Sequence, residues 1–486
     1  MSGTSSYFVM TLPLMPELWQ KEKLNKRFEV NRQIYNAILG EGLKRYRRMK
    51  ERRDYRTLIQ MLDSTADVKE RKRIYEKLDI LEEEYRLRRF DFTKDATKYR
   101  RFFQKNTDAP VIQNLAVHAW KAVHSLVCRQ AASVHPKAEN ELYSLEGKTN
   151  KTSIRYQDEK VIWKDLEIPV RTKGNDYEKQ AFAQEIRYCR LKWKWIRGNK
   201  KYYVDLIFRG KCPVKPFLLA EDRKNSQREE ARTKEKKKKV GMDIGLQKVV
   251  LVTDKAILDL KLPEKDQELE KARIYFARKL ERSRRINHPD YYTEDGRIIS
   301  GRKKWNDAIN YRKNKLKYRE ILRKQAALRT EEQQKLIKLI LTTGDIFFAE
   351  QLAFEKMRNR KEKQEKGKWN PVFGKTIENV AAAAFLRKLE WKMKQHGKQI
   401  VFVDPVKALA GSLNHATGKR EILPYYKQYR NVSGYMVNKR AYSAFLLRHM
   451  EADSGVINLE ECKKAFPTFL ILNEQTYGSQ REDKVS

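Results

Sequence analysis

The sequence predicts a multidomain chain of mixed class: a small β-barrel interrupted by a helical domain, followed by an α/β domain. Three observations predict it. One strand-like segment opens the chain and runs into charged, helix-patterned sequence from about 18 to 130. Short β-branched and aromatic runs then cluster at 152–213. Beyond residue 240, strand-like and helical segments alternate.

Each element has its own local signal. Residues 5–12 (SSYFVMTL) read as a strand ended by Pro13 and Pro16. Leu24, Phe28, Ile34, Ile38 and Leu43 fall near a helical repeat, and further helical stretches follow at 66–90 and 110–131, the latter opening after Pro110. Asn, Gly and Thr at 139–153 mark a boundary. The runs TSIRYQDEKVIWK, EIPVR, EIRYCRLKWKWIRG and KKYYVDLIFRG read as strands. The polar stretch 221–239 reads as a linker or basic loop. VGMDIGLQKVVLVTD is a strand, a turn and a strand, and 265–340 forms long basic helices broken at INHPDYYTEDG. DIFFAEQL (345–352) and QIVFVD (399–404) are strands separated by a helix at 375–396, and the chain closes on a helix at about 440–450 and a loose tail.

Charge narrows the function. Against 64 Asp and Glu stand 106 Lys and Arg in 486 residues, a formal charge of +42. Such an excess attracts polyanions by releasing their condensed counterions. No apolar run of about 18 residues is present, and the N-terminus lacks a basic region followed by an apolar one, so neither a membrane span nor a signal peptide is expected. With 40% hydrophobic residues the chain can build real cores. Cys128, Cys189, Cys212 and Cys462 form no CxxC pair and read as buried thiols, with no zinc site.

Two acids stand out. Asp243 lies on an apolar strand, where a carboxylate is costly without a cation. Gly245 after it lets the backbone approach a phosphate or metal. Glu350 ends a second apolar strand, and two carboxylates at adjacent strand ends can hold Mg²⁺ between them. Other residues leave alternatives open. Lys236, Lys237, Lys238 and Lys239 either grip phosphate or form a solvated face. Trp193, Trp195, Tyr202 and Tyr203, interleaved with Lys192, Lys194, Lys200 and Lys201, form either an RNA-stacking surface or a core with lysines outside. Arg284 and Arg285 are expected to touch phosphate from a helix with few apolar partners. His415 is a ligand, a general base or a loop residue.

GMDIGLQKVVLVTD resembles the first RuvC segment of TnpB transposon proteins and their type V CRISPR relatives, and DIFFAEQLAF the second. The stretch RKLERSRRINHPDYYTEDGRIISGRKKW resembles the inserted basic hairpin of one TnpB subgroup. NHATGKR and RAYSAFLL resemble that subgroup's ending. The resemblance covers essentially the whole chain. It implies a wedge β-barrel from 1–17 and 135–222, a helical recognition domain at 18–134 and a basic linker at 223–239. A RuvC domain of the RNase H-like kind then fills 240–486, with a helical insertion at 265–340 and a cysteine-free remnant of a zinc ribbon at 411–435. It implies a guide RNA and double-stranded target DNA with a short adjacent motif as partners, inside a prokaryotic cytoplasm at the nucleoid.

In the family a third acid precedes the Y-S-A-F-L motif by two positions, and here that position is Arg440. A guanidinium offers donors and no metal ligand. The implied protein is therefore RNA-guided and DNA-binding without cleavage. It would regulate transcription by occupying its target or recruiting a transcription factor or polymerase component, with no cofactor. The alternatives are an active endonuclease using Mg²⁺, in which Asp404 or Asp453 replaces the third acid, and a guide-free RNA-binding or transposition accessory protein.

Overall fold

The computed structural model describes residues 6–214, 237–301, 303, 305, 307–351, 381–424, 427–451 and 455–478. The chain divides into two compact units, Met1–Pro213 and Val214–Ser486.

In the first unit, β1 (Tyr7–Pro13) alternates strictly, with Phe8, Met10 and Leu12 buried and the residues between them exposed. The chain then leaves the sheet for five helices: α1 (Leu18–Glu51), α2 (Arg53–Ser64), α3 (Val68–Glu84), α4 (Arg89–Phe102) and α5 (Ala109–Val127). Leu24, Phe28, Ile34, Tyr35, Ile38 and Leu39 make the buried stripe of α1, which packs on α5. Asp108 caps α5 by accepting from the Val111 amide at 3.2 Å, and Pro110 suits the first turn. The same carboxylate accepts from Trp163 Nε1 at 2.8 Å and Ser153 Oγ at 2.7 Å, tying the helices to the sheets.

The chain returns through β2 (Ser144–Glu146), β3 (Arg155–Gln157), β4 (Lys160–Trp163), β5 (Leu166–Pro169), α6 (Asp176–Phe182), β6 (Glu185–Ile196) and β7 (Asn199–Arg209). One sheet runs β1-β7-β6-β2 and a second β3-β4-β5. They join where Leu14 bridges Val170, with amide bonds from Met15 to Pro169 and from Arg171 to Pro13, each 2.9 Å. Arg197 and Gly198, both at positive φ, form the two-residue turn between β6 and β7, whose backbone twist matches paired strands.

The second unit holds a five-stranded sheet in the order β10-β9-β8-β11-β12. Its strands are β8 (Lys239–Ile244), β9 (Lys248–Val252), β10 (Ile257–Lys261), β11 (Ile346–Glu350) and β12 (Gln399–Val403). β8, β9 and β10 are antiparallel neighbours, whereas β11 runs parallel to both β8 and β12. Between β10 and β11 lies a long hairpin of α7 (Gln267–Asn287) and α8 (Ile309–Thr342). The last turns of α8 and α9 (Ala382–Gln395) cover one face of the sheet, against Val240, Met242, Phe347 and Ala349. The hairpin β13 (Tyr429–Val432) and β14 (Tyr435–Asn438) leads into α10 (Lys439–Arg448). This helix and α11 (Leu459–Tyr477) cover the other face, against Val250, Val252 and Phe348.

The structure corrects several expectations here. The expected loose tail contains α11, whose Cys462, Phe466, Phe469, Asn473 and Tyr477 are buried at helical spacing. Pro467 inside it disguises the pattern, since proline usually ends a helix. Lys239 is the first residue of β8, and the Lys238 carbonyl accepts from the Asp345 amide at 2.9 Å, so both belong to the sheet rather than to a linker. Of the cysteines, Cys189 and Cys462 are buried, Cys212 is half-buried and Cys128 is exposed. No helix among the described residues is long and apolar enough to cross a membrane.

Candidate functional site

The site begins with glycine spacing around one acid. Gly241, Asp243 and Gly245 alternate along and just beyond β8, so all three face α10. A Cβ on Gly241 would strike the Ala444 carbonyl, so glycine lets the helix lie directly on the strand. A Cβ on Gly245 would fall inside the Arg440 guanidinium. Gly245 thus makes room for the Arg440 side chain, and its φ is not in the left-handed region.

Asn438 caps α10, its Oδ1 accepting from the Arg440 amide at 3.0 Å and the Ala441 amide at 3.2 Å. This cap fixes the first turn, from which Arg440 reaches the acid. Arg440 Nη1 stands 3.8 Å from Asp243 Oδ1, an ion pair but not a hydrogen bond. Nη1 is buried and meets no acceptor among the described residues, while 42% of the side chain remains exposed. Ser443, three residues on along the same helical face, also favours the charged form of Asp243.

Glu350 follows Ala349, which pairs with Met242, so the two acids are neighbours at the carboxyl ends of parallel strands. Strands in one sheet lie about 4.8 Å apart. The Ala410 amide donates to Glu350 Oε1 at 3.1 Å, and the Gly411 backbone also favours its charged form. Burial pushes the Asp243 carboxyl up, against the opposing pull of Arg440, Ser443 and Lys439. Burial also raises Glu350, and the nearby Asp243 charge raises it further. The local balance therefore disfavours two full negative charges. Asp404 follows β12 and is exposed, and Asp453 lies outside the described residues. No group of three or more His, Cys, Asp or Glu among the described residues could hold a metal.

Most of the other candidates lie elsewhere and do other work. Trp193 is 2% exposed, donates from Nε1 to the Leu142 carbonyl at 2.9 Å and packs edge-on against Trp195 and Phe28. It is core, because strand alternation turns it inward. Trp195 is half-buried, and Lys200 lies over both indoles at 4.7 and 5.7 Å. Lys192 is held by the buried Asp205, which also accepts from Thr11 Oγ1 at 2.5 Å, so its charge is already matched. Lys194 is exposed, with its ammonium 5.5 Å from the Tyr203 ring.

Arg284 stacks on Trp305 at 4.8 Å and Tyr311 at 5.4 Å. Arg285 pairs with Glu281 at 3.2 Å, donates to the Gly296 carbonyl at 3.2 Å and lies over Tyr292. Both arginines are engaged at the hairpin tip, through aromatic partners beyond the helix that the helical stretch itself does not reveal. Lys237, Lys238 and Lys239 are exposed, and Lys236 lies outside the described residues.

His415 is buried at 2% exposure. The Tyr442 hydroxyl accepts from its backbone amide at 3.0 Å and lies 2.6 Å from its Nδ1. Burial pushes its pKa down to about 4, so the ring is neutral and structural. Sequence reasoning missed Ser443, which its spacing from Arg440 could have signalled, and Tyr442, the partner that buries His415.

No family model matches the sequence, and no curated protein matches it. Among solved structures, the chain is similar to a CRISPR-Cas12f ternary complex at 14% identity, covering 87% of this chain and 82% of that one, with a TM-score of 0.23. It is similar to a Cas12f1–sgRNA–target DNA complex at 13% identity, 90% and 98% coverage and a TM-score of 0.37. A Cas12i–crRNA–dsDNA complex matches at 10% identity, 93% and 64% coverage and a TM-score of 0.22.

Proposed function

We propose that this chain is an RNA-guided, sequence-specific DNA-binding protein that occupies its target without cutting it and so regulates transcription. The observation that carries this reading is the Arg440 guanidinium, seated over Gly245 at 3.8 Å from Asp243. RuvC-type cleavage uses an acid cage holding two metal ions about 3.5–4 Å apart. Asp243, Glu350 and Arg440 do not fit that cage. The third position supplies donors only, and a fixed cation beside Asp243 repels Mg²⁺. The charge of +42 supports a resident polyanion, and the order of motifs along the chain supports a guide RNA and duplex DNA as partners. On this reading the joined sheets of the first unit are the wedge, helices α1 to α5 the recognition domain, and the five-stranded sheet with its flanking helices the RuvC domain.

The test is to purify the protein with its RNA, sequence that RNA and add plasmids with and without a matching target. Sequence-dependent binding that leaves the plasmid intact in Mg²⁺ and Mn²⁺ is expected. Guide-dependent cutting that disappears on Asp243→Ala would instead establish the active endonuclease, with another acid completing the site.

A further inference from the structure

We infer that Cys128 is a modifiable thiol, activated by His124 and Glu82, that forms mixed disulfides with low-molecular-weight disulfides. This goes beyond the guided reading and does not depend on it. Three side chains stand in series in the first unit. Glu82 lies on α3, His124 in the last turn of α5, and Cys128 just past the end of that helix. A spacing of four residues brings the thiol and the imidazole to one side of α5. Cys128 Sγ lies 3.3 Å from His124 Nε2. On the other side of the ring, Glu82 Oε2 lies 3.4 Å from Nδ1. Trp120, one turn earlier, stacks on the imidazole with centroids 5.0 Å and planes 20° apart, which holds the ring in its plane. A nucleophile within reach of a base, with a third group behind that base, is the arrangement that activates a thiol.

The other three cysteines lack it. Cys189 and Cys462 are buried, and burial pushes both thiols up to about 12. Cys212 is half-buried and meets the Tyr177 hydroxyl at 3.9 Å and the Pro213 carbonyl at 3.5 Å, neither of them a base at neutral pH. Cys128 is exposed, so a small reagent can reach it. Partial burial of its sulfur, and then the Glu82 charge, raise this thiol as well. It therefore keeps its proton at neutral pH and needs a base in order to react. An ionised Glu82 can only accept, which favours the tautomer with its proton on Nδ1 and a free lone pair on Nε2 toward the sulfur. In the reaction the S–H proton passes to Nε2 as Sγ attacks one sulfur of the disulfide. A new S–S bond forms, the old one breaks, and the departing thiolate takes the proton from Nε2. Cys128 is oxidised to the mixed disulfide, and the other half of the reagent is reduced to a free thiol.

The experiment treats the full-length protein with oxidised glutathione and follows the adducts by mass spectrometry with peptide mapping. Cys128 should be modified well before Cys212, and Cys128→Ser should remove the fast adduct. His124→Gln should slow Cys128 by about 100-fold, the low end of what a positioned base supplies, while Cys212 keeps its rate. Glu82→Gln should slow it by a smaller factor. A Cys128 that reacts no faster than Cys212, or equally fast in His124→Gln, would mean a merely exposed thiol and overturn the inference. Loosening of the helices in His124→Gln would show as adducts on the buried Cys189, and Glu82→Gln then decides. Slower reaction of Cys128 in that variant, with Cys189 silent, supports the assignment, and an unchanged rate overturns it.

Discussion

Two aspartates, one in each unit, face cations from the strand of a sheet, yet they are built to opposite ends. Asp205 on β7 is 4% exposed and surrounded by Thr11, Lys192 and Arg190. Its charge is matched by Lys192 in direct contact and its oxygen accepts from Thr11, with Arg190 at 3.8 Å as a second, looser cation. Asp243 on β8 has its arginine at 3.8 Å without a hydrogen bond, leaves Arg440 Nη1 unpartnered among the described residues and has a second acid beside it. A finished network serves stability. Polar groups left unsatisfied at a sheet end do not serve it, and such groups cluster where proteins bind or react.

The largest expected effect lies at the finished network. Asp205→Ala removes a buried carboxylate from the half-buried Lys192 and should destabilise by about 3–5 kcal/mol in denaturant unfolding. Asp243→Ala, which removes a charge that burial already disfavours, should change stability by less than about 1 kcal/mol. Equal losses at the two positions would erase the contrast between them.

A smaller effect tests how Arg440 is seated. Gly245→Ala should cost about 1–3 kcal/mol by pushing the guanidinium aside. In an Arg440→Ala background the same change should cost clearly less, a coupling that a double-mutant cycle reads directly. An unchanged cost would mean that Gly245 serves the backbone and not the arginine.

The smallest effect is in pH. Burial raises Asp243 and Glu350 in the folded state, so their contribution is fully present below the ordinary carboxylate value and is lost as pH rises through the raised one. Relative to Asp243→Asn with Glu350→Gln, the wild type should therefore gain stability as pH falls from 7 toward about 4. His415, held down to about 4, acts in the opposite direction but is common to both proteins and cancels in the difference. Parallel melting curves across this range would show that neither carboxyl is raised by burial.

Much of this was legible from residue order. An acid on an apolar strand is visible as a contradiction, and Asp243 and Glu350 both carry it. The helical repeat of α1 and the alternation of β1 need only local periodicity. Helix α11 escaped because Pro467 interrupts the signal that its buried stripe would give. The basic residues were the least legible, since a lysine or arginine looks the same whether it meets phosphate, a carboxylate or an indole.

Residue order alone was enough for the sheet-forming segments, the two acids, the arginine at the third position and the polyanion-seeking charge, because each depends on composition or near-neighbour spacing. Where each cation is spent was settled in three dimensions. Lys192 meets Asp205 across paired strands, Arg284 meets Trp305 from beyond the end of its own helix, and Arg440 finds its room over Gly245, 195 positions earlier in the chain. Ion pairs and stacking fall off within a few ångströms, so their partners are fixed by folding and not by distance along the chain.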